Sequence, residues 1–334
     1  MNLAASLGGI ARHAVRRILR LYYPRIEVEG RERLPSNGAV LFVANHPNSL
    51  MDPALIGFAT QRLVHFFAKA PLFDVPVFGA LMRALGMVPA YRGQDDKAQV
   101  RKNLETLELG AAYLQRGEAV GIFPEGKTHD REGVEQVRTG AARIASQAVE
   151  SGAALNIVPL GLNYERKDRF RSAVWVRVGE PIDANAWMRA RDDGPKKAMR
   201  ALTEEIDQKL KQVVVHLNEE HWQPFLPELE MLLPSEATDA GNPIATLRQR
   251  KRFADAMNFF LATDRPRAEA VAAAIEQHRA QLAGAGLTMD SPVLWLGMVR
   301  LTLRLLKATL WLLAGGELRR TGGGPGYHQG RRDQ

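Results

Sequence analysis

The stretch "ANHPNSLMDP", residues 44–53, places a histidine and an aspartate six positions apart between two prolines. Pro47 and Pro53 prevent one regular helix, so a turn must fold the interval from His46 to Asp52. Such a turn can bring the carboxylate to the distal ring nitrogen of the imidazole. There it fixes the tautomer and stabilises the imidazolium formed when the other nitrogen takes a proton. That is the chemistry of an oriented general base. The same residues also read as a helix start, with Asp52 as cap, Pro53 in the first turn and His46 merely closing a strand.

Other chemistry is narrowed by composition. Cysteine is absent, which removes thiolate nucleophiles, disulfides and Cys-ligated zinc, and leaves catalysis to His, carboxylates or hydroxyls. No G-x-S-x-G elbow occurs, and Ser49 lies inside the His46 loop, so a serine nucleophile is not expected. In "FPEGKTHD", residues 123–130, His129 and Asp130 are neighbours with no second histidine at ligand spacing, so no metal is assigned.

These residues need elements to hold them. Between residue 25 and about residue 182, short β-type runs ("IEVEG", "AVLFVAN", "LVHFFAK", "MVPAY", "AVGIFPE", "NIVPLGLNY", "AVWVRVGE") alternate with helical ones at 52–60, 95–116 and 139–151. That alternation predicts an α/β fold with a largely parallel sheet flanked by helices. From Pro195 the pattern turns helical, marked by Ala198, Leu202, Ile206, Leu210, Val213 and Leu217. The expected organisation is an amphipathic helix over 1–24, a catalytic domain over 25–194, and a helical extension over 195–317 that contains an interfacial helix at 291–315. Residues 318–334, rich in Gly and charge, are expected to be a disordered tail.

Four segments, in order, resemble the motifs of the glycerolipid acyltransferase superfamily: "NHPNSLMD", "AKAPLFDVPVFGALMRALGMVPAYR", "FPEGKTHD" and "IVPLGLNY". The resemblance implies that His46 is the catalytic base and Asp52 its partner. It implies that Arg92, Glu125 and Gly126 bind the acyl acceptor and that Pro159 shapes the site; Lys127 and Thr128, in the same block, are expected to bind the acceptor with them. Asn48, Lys69, Phe123, Pro124 and His129 are supporting candidates. Two departures stand out. Five residues separate His46 from Asp52 where the commoner form has four, and Thr128 stands where the commoner third block has arginine. Lys127 and His129 are candidates for the missing charge.

The implied reaction moves an acyl group from acyl-CoA or acyl-carrier protein, a co-substrate and not a bound cofactor, to a hydroxyl of glycerol 3-phosphate or a related glycerol phosphate; 1-acylglycerol-3-phosphate is the alternative acceptor. An alcohol attacking a thioester must lose its proton, whereas the thiolate leaves readily because a thiol's pKa is near about 8.5. Arginine suits a phosphorylated acceptor, and glycine permits close backbone approach. From another class, a lipid esterase or a non-catalytic membrane-binding module competes with this reading.

A net charge of +8 suggests an anionic partner. Leu3, Leu7, Ile10, Ala14, Ile18 and Leu21 recur at helical spacing, with Arg12, Arg16 and Arg20 on another face, which reads as a basic amphipathic helix on a membrane or on its own domain. The apolar run near residue 300 carries Arg300, Arg304 and Lys307. Each would cost about 2.5–3.5 kcal/mol at mid-membrane, so a helix lying in the headgroup layer is expected there, not a span. The expectation is a peripheral protein on the cytoplasmic face of an anionic membrane. Scattered Lys and Arg without a recognised motif argue against nucleic acid.

Overall fold

The structure, a computed structural model, describes residues 3–90, 97–192, 194–232, 241–286 and 288. Its strands among these residues are β1 (Arg25–Glu29), β2 (Ala39–Ala44), β3 (Val64–Lys69), β4 (Val88–Ala90), β5 (Ala119–Ile122), β6 (Leu155–Tyr164), β7 (Ala173–Val178) and β8 (Ile182–Asp183). The helices are α1 (Leu3–Tyr22), α2 (Met51–Thr60), α3 (Pro76–Ala84), α4 (Lys97–Gln115), α5 (Gly140–Glu150), α6 (Ala184–Arg189), α7 (Pro195–Val213), α8 (Phe225–Leu232), α9 (Pro243–Thr263) and α10 (Arg265–Gly284).

The run AVLFVA of β2 is apolar at every position because both of its faces are covered. Ala39, Leu41 and Val43 enter a layer shared with α4, α5 and α7, while Val40, Phe42 and Ala44 enter a layer shared with α1 and α2. Two-sided burial is what a central parallel strand requires. The sheet order is β1-β7-β6-β2-β5-β3-β4, with β8 also on β6. Strands β2 to β6 pair in parallel, as expected for a mostly parallel sheet, but β7 and β8 run antiparallel to β6. Residues 165–172 are too few for a parallel crossover, so the chain must turn back.

Packing shifts one expected boundary. Leu202 and Ile206 of α7 are fully buried in the same layer as Leu41 and Ile157, so a boundary before residue 195 would cut through the core. After α7, Val215, Leu217, Trp222, Leu226, Ala254, Met257 and Ala272 form a separate helical layer. The chain divides into two compact units, Met1–Glu276 and Gln277–Gln334; in the second, the described residues are 277–286 and 288, of which 277–284 belong to α10. The expected interfacial helix at 291–315 and tail at 318–334 lie outside the described residues. No helix among the described residues is long and apolar enough to cross a membrane.

Helix α1 turns part of its apolar stripe away from the domain. Gly8, Leu19 and the following Tyr23 are buried, whereas Ile10, Ile18 and Leu21 of the stripe face solvent. Pro159 also lies elsewhere than expected: it is buried within β6, paired with Val43, at the place where the far side of β6 changes partner from β8 to β7. A proline needs a gap in the ladder, and this is one. Its ring supports the sheet and does not line the cleft described next.

Candidate active site

In a parallel sheet the loops leaving the carboxyl ends of neighbouring strands converge, and that is where ligands collect. Here β2 ends at Ala44 and leads to His46, β5 ends at Ile122 and leads to Phe123, and β3 ends on Lys69. These three ends border a cleft of about 350 Å³ that His46, Lys69, Phe123, Pro124, Gly126 and Arg138 help to line.

The turn between the prolines closes as the spacing requires. His46 Nδ1 lies 2.8 Å from Asp52 Oδ2. The histidine side chain is 14% exposed and the aspartate is fully buried. Asp52 occupies the first turn of α2, whose N-cap position is Leu50, so it does not cap the helix. Its Oδ2 also accepts the Asn48 N–H at 2.7 Å, and its Oδ1 accepts the Tyr164 hydroxyl at 2.5 Å. Three donors suit an ionised carboxylate out of water. Burial, with Asp52 nearby, holds the Tyr164 phenol well above its ordinary pKa, so it remains a donor. Because an ionised carboxylate only accepts, Nδ1 of His46 carries the proton and Nε2 is left with its lone pair. The imidazole stacks on Phe123 at 3.9 Å between ring centroids, and Phe123 in turn stacks on Phe66. Phe66 lies over Gly121, where a Cβ would collide with its ring, so glycine at that position sets the depth of the aromatic stack.

The FPEG block divides its residues between the cleft and the interior. Gly126 sits at φ 77°, a left-handed turn that glycine adopts freely, and Arg138 lies against it. Glu125 departs from the expected acceptor-binding role: it is buried and faces inward. Its Oε2 accepts the His46 N–H at 3.0 Å and its Oε1 accepts the Glu135 N–H at 3.1 Å. His129 Nε2 lies 3.0 Å from Oε2, near enough for charge attraction although not aligned as a hydrogen bond. Burial pushes the Glu125 carboxyl above its ordinary pKa, with His129 pulling the other way. Glu125 therefore braces the His46 loop from behind.

Lys127 is also displaced from its expected role, since it is half-exposed and paired with Glu135 at 2.8 Å, away from the cleft lining. Thr128 is exposed and outside the lining too. Asn48 points its amide to Tyr23 Oη at 2.9 Å and to the Lys167 carbonyl at 2.7 Å. Arg92 lies outside the described residues.

Four contributors escape the sequence reading. Tyr164 ends the fourth block and was available to it; Tyr23, Arg138 and Lys167 have no motif around them, and only the fold brings them near His46. Arg138 and Lys69 have no ion-pair partner among the described residues, so both present net positive charge to the cleft. No three side chains among the described residues group as metal ligands do.

Residues 25–163 match a protein-family model described as Acyltransferase. The chain is 32% identical over 111 residues to glycerol-3-phosphate O-acyltransferase 2 of Saccharomyces cerevisiae, which covers 32% of this chain and 15% of that protein. It is 31% identical over 143 residues to the chloroplastic 1-acyl-sn-glycerol-3-phosphate acyltransferase LPAT1 of Arabidopsis thaliana, 42% of this chain and 37% of that protein. It thus spans well under two thirds of the curated relatives it matches. A solved structure, the 1-acyl-sn-glycerophosphate (LPA) acyltransferase PlsC from Thermotoga maritima, aligns with 22% identity and a TM-score of 0.44, covering 62% of this chain and 77% of that one. With the family match in sequence and the four blocks meeting around His46 and Asp52, residues 25–163 belong to the glycerolipid acyltransferase superfamily.

Proposed function

We propose that this chain is an O-acyltransferase that moves a fatty acyl group from a thioester, acyl-CoA or acyl-carrier protein, to a hydroxyl of a glycerol phosphate. The observation that carries the reading is the His46–Asp52 contact at 2.8 Å, with the imidazole opening on a cleft that Lys69 and Arg138, without ion-pair partners among the described residues, also line. Nε2 of His46 takes the proton of the acceptor hydroxyl as its oxygen attacks the thioester carbonyl. The tetrahedral intermediate collapses with cleavage of the C–S bond. The thiolate then leaves and takes back that proton from the imidazolium, so His46 returns to its starting state without a covalent intermediate. Asp52 stabilises the imidazolium between the two transfers.

For the acceptor, Lys69 and Arg138 supply the charge that a phosphate needs, Arg138 standing in for the arginine that Thr128 replaces. Glycerol 3-phosphate is the preferred acceptor, supported by the similarity to the yeast glycerol-3-phosphate O-acyltransferase. The similarity to a plant 1-acyl-sn-glycerol-3-phosphate acyltransferase supports 1-acylglycerol-3-phosphate as the second reading. The test offers the full chain one acyl-CoA with glycerol 3-phosphate, dihydroxyacetone phosphate or 1-acylglycerol 3-phosphate and identifies the acylated product. Acylation of glycerol 3-phosphate in preference to the others is expected. Fatty acid released at the same rate with or without acceptor would make the protein a hydrolase.

The same proposal includes peripheral attachment to the cytoplasmic face of an anionic membrane, with no nucleic-acid partner. Its support is the face where α1 packs on α2 and α3. Ile10, Ile18 and Leu21 of α1, Leu50 of the His46 loop, and Val75, Val77 and Leu81 around α3 are all exposed, and Ile18, Leu50 and Leu81 line one groove. Helix α1 has no acidic residue, and Arg12 and Arg16 line an apolar groove of about 220 Å³ beside these side chains. Exposed apolar side chains beside arginines, on a helix without acidic residues, suit a headgroup layer with acyl chains beneath it.

A further inference from the structure

The two loops that build the site touch each other directly and are bridged again, on their outer side, by one residue of neither. His46 sits in loop 45–50, where Ser49 and Leu50 are exposed, and Glu125 in loop 123–139, where residues 126–128 and 130–132 are exposed. Loop 45–50 is under local strain as well, since Ser49, not a glycine, adopts φ 37°. Lys167 comes from the short connection between β6 and β7. Its Nζ donates to the carbonyl of Pro47 at 3.1 Å, the residue after His46, to the carbonyl of His129 at 3.3 Å, and to Asp130 Oδ1 at 2.7 Å. An ammonium has three donors, and all three are used. The Lys167 carbonyl meanwhile accepts from the Tyr23 hydroxyl at 2.8 Å and from the Asn48 amide at 2.7 Å.

We propose that Lys167 is a positioning residue for His46, its ammonium pinning the outer edge of the histidine loop to the loop that carries Glu125. The inference rests on the acyltransfer reading above only for its rate readout. From the inside the histidine is held by Asp52 at the ring, by Phe123 against its face, by Glu125 at its backbone N–H and by the His129 N–H at its carbonyl, 3.4 Å away. None of these contacts is made to Pro47 itself. Without Lys167 the Pro47 and His129 carbonyls lose their shared donor, the strained turn at Ser49 can relax, and His46 drifts from its attack geometry. A displacement on the order of 1 Å at a reacting centre is enough to lower a rate about 100-fold. A lysine that instead held the acceptor phosphate would act on affinity and not on turnover.

The test compares Lys167→Met and Lys167→Arg with the parent, using the full chain, one acyl-CoA and glycerol 3-phosphate. Circular dichroism confirms the fold, and proton NMR follows the downfield resonance of the His46 Nδ1 proton. Expected for Lys167→Met is a kcat lower by about 10- to 100-fold with the acceptor KM within about twofold, and a His46 resonance broadened away. Lys167→Arg, which keeps a cation with several donors, should restore the resonance and most of the rate. A folded Lys167→Met protein with unchanged kcat, or with its loss confined to acceptor KM, overturns the proposal. If Lys167→Met fails to fold, Lys167→Gln, which keeps two donors, decides by the same criteria. A parent without acyl transfer would defeat the functional reading instead, and the His46 resonance would still report on Lys167.

Discussion

At the scale of single residues, the site distinguishes side chains that face the cleft from side chains that hold those in place. His46, Lys69 and Arg138 belong to the first kind, and Asp52, Glu125 and Tyr164 to the second. Glu125 is the sharpest case because its type suggests contact with glycerol hydroxyls, yet both of its oxygens are spent on the His46 and Glu135 N–H groups. Glu125→Gln keeps the volume but puts an NH2 donor against one of those N–H groups. The expected outcome is a loss of about 1–3 kcal/mol in stability by urea unfolding, with a lower kcat and little change in acceptor KM. A rise in acceptor KM at unchanged stability would return Glu125 to the cleft. The sequence made His46 and Asp52 legible because two prolines force the turn that joins them. It could not show where Glu125 faces, since one residue of rotation in a loop separates lining from support. Lys167 was hidden for another reason: no motif surrounds it, and it lies 120 positions from Pro47 and 38 from His129.

At the scale of elements, apolar runs without alternation revealed the buried central strands, and helical spacing revealed α2, α4 and α5 to within two residues at either end. Helix α3 was missed because Gly79 interrupts it. That glycine is required there by the Phe73 carbonyl, against which a Cβ would collide. The reversal of β7 was readable in principle from the length of the 165–172 connection, and β8, at two residues, is too short to leave a pattern. Where the loop carrying Glu125 meets the segment after α7, His216 Nδ1 accepts the Val134 N–H at 3.2 Å, so the imidazole is neutral in the folded state. Desolvation by burial pulls its pKa down from 6.5 to about 4. A histidine with a depressed folded pKa is tolerated in full above its unfolded value, and its contribution falls as pH drops from about 6.5 to about 4, where the loss levels off near 3 kcal/mol. His216→Gln keeps an acceptor and cannot titrate. Urea unfolding at pH 7 and pH 4 should show the parent losing more stability than the variant, by up to about that amount; equal losses would mean that His216 is not buried as a neutral base.

At the scale of the whole molecule, the sequence forecast a basic amphipathic helix whose apolar stripe meets either a membrane or the protein's own domain, and left that choice open. The period of Ile10, Ile18 and Leu21 is that of a buried stripe, and periodicity cannot tell a stripe that meets a domain from one that faces outward. The structure buries Leu19 and leaves Ile10, Ile18 and Leu21 exposed. On the proposed reading, the full chain floats with vesicles of phosphatidylglycerol and phosphatidylcholine and binds less to phosphatidylcholine alone. Ile18→Asp combined with Val77→Asp, both at exposed positions, should weaken flotation without changing the unfolding midpoint. Undiminished flotation would move the contact elsewhere.

The general-base account is tested most directly by the single-turnover rate of acyl transfer from acyl-CoA to glycerol 3-phosphate in the parent and in His46→Ala. Removal of the imidazole should lower the rate by about 10²- to 10⁴-fold while acyl-CoA still binds. Transfer by His46→Ala at the parent rate would contradict it, because Asp52, Tyr164 and Glu125 would then be arranged around a residue that moves no proton.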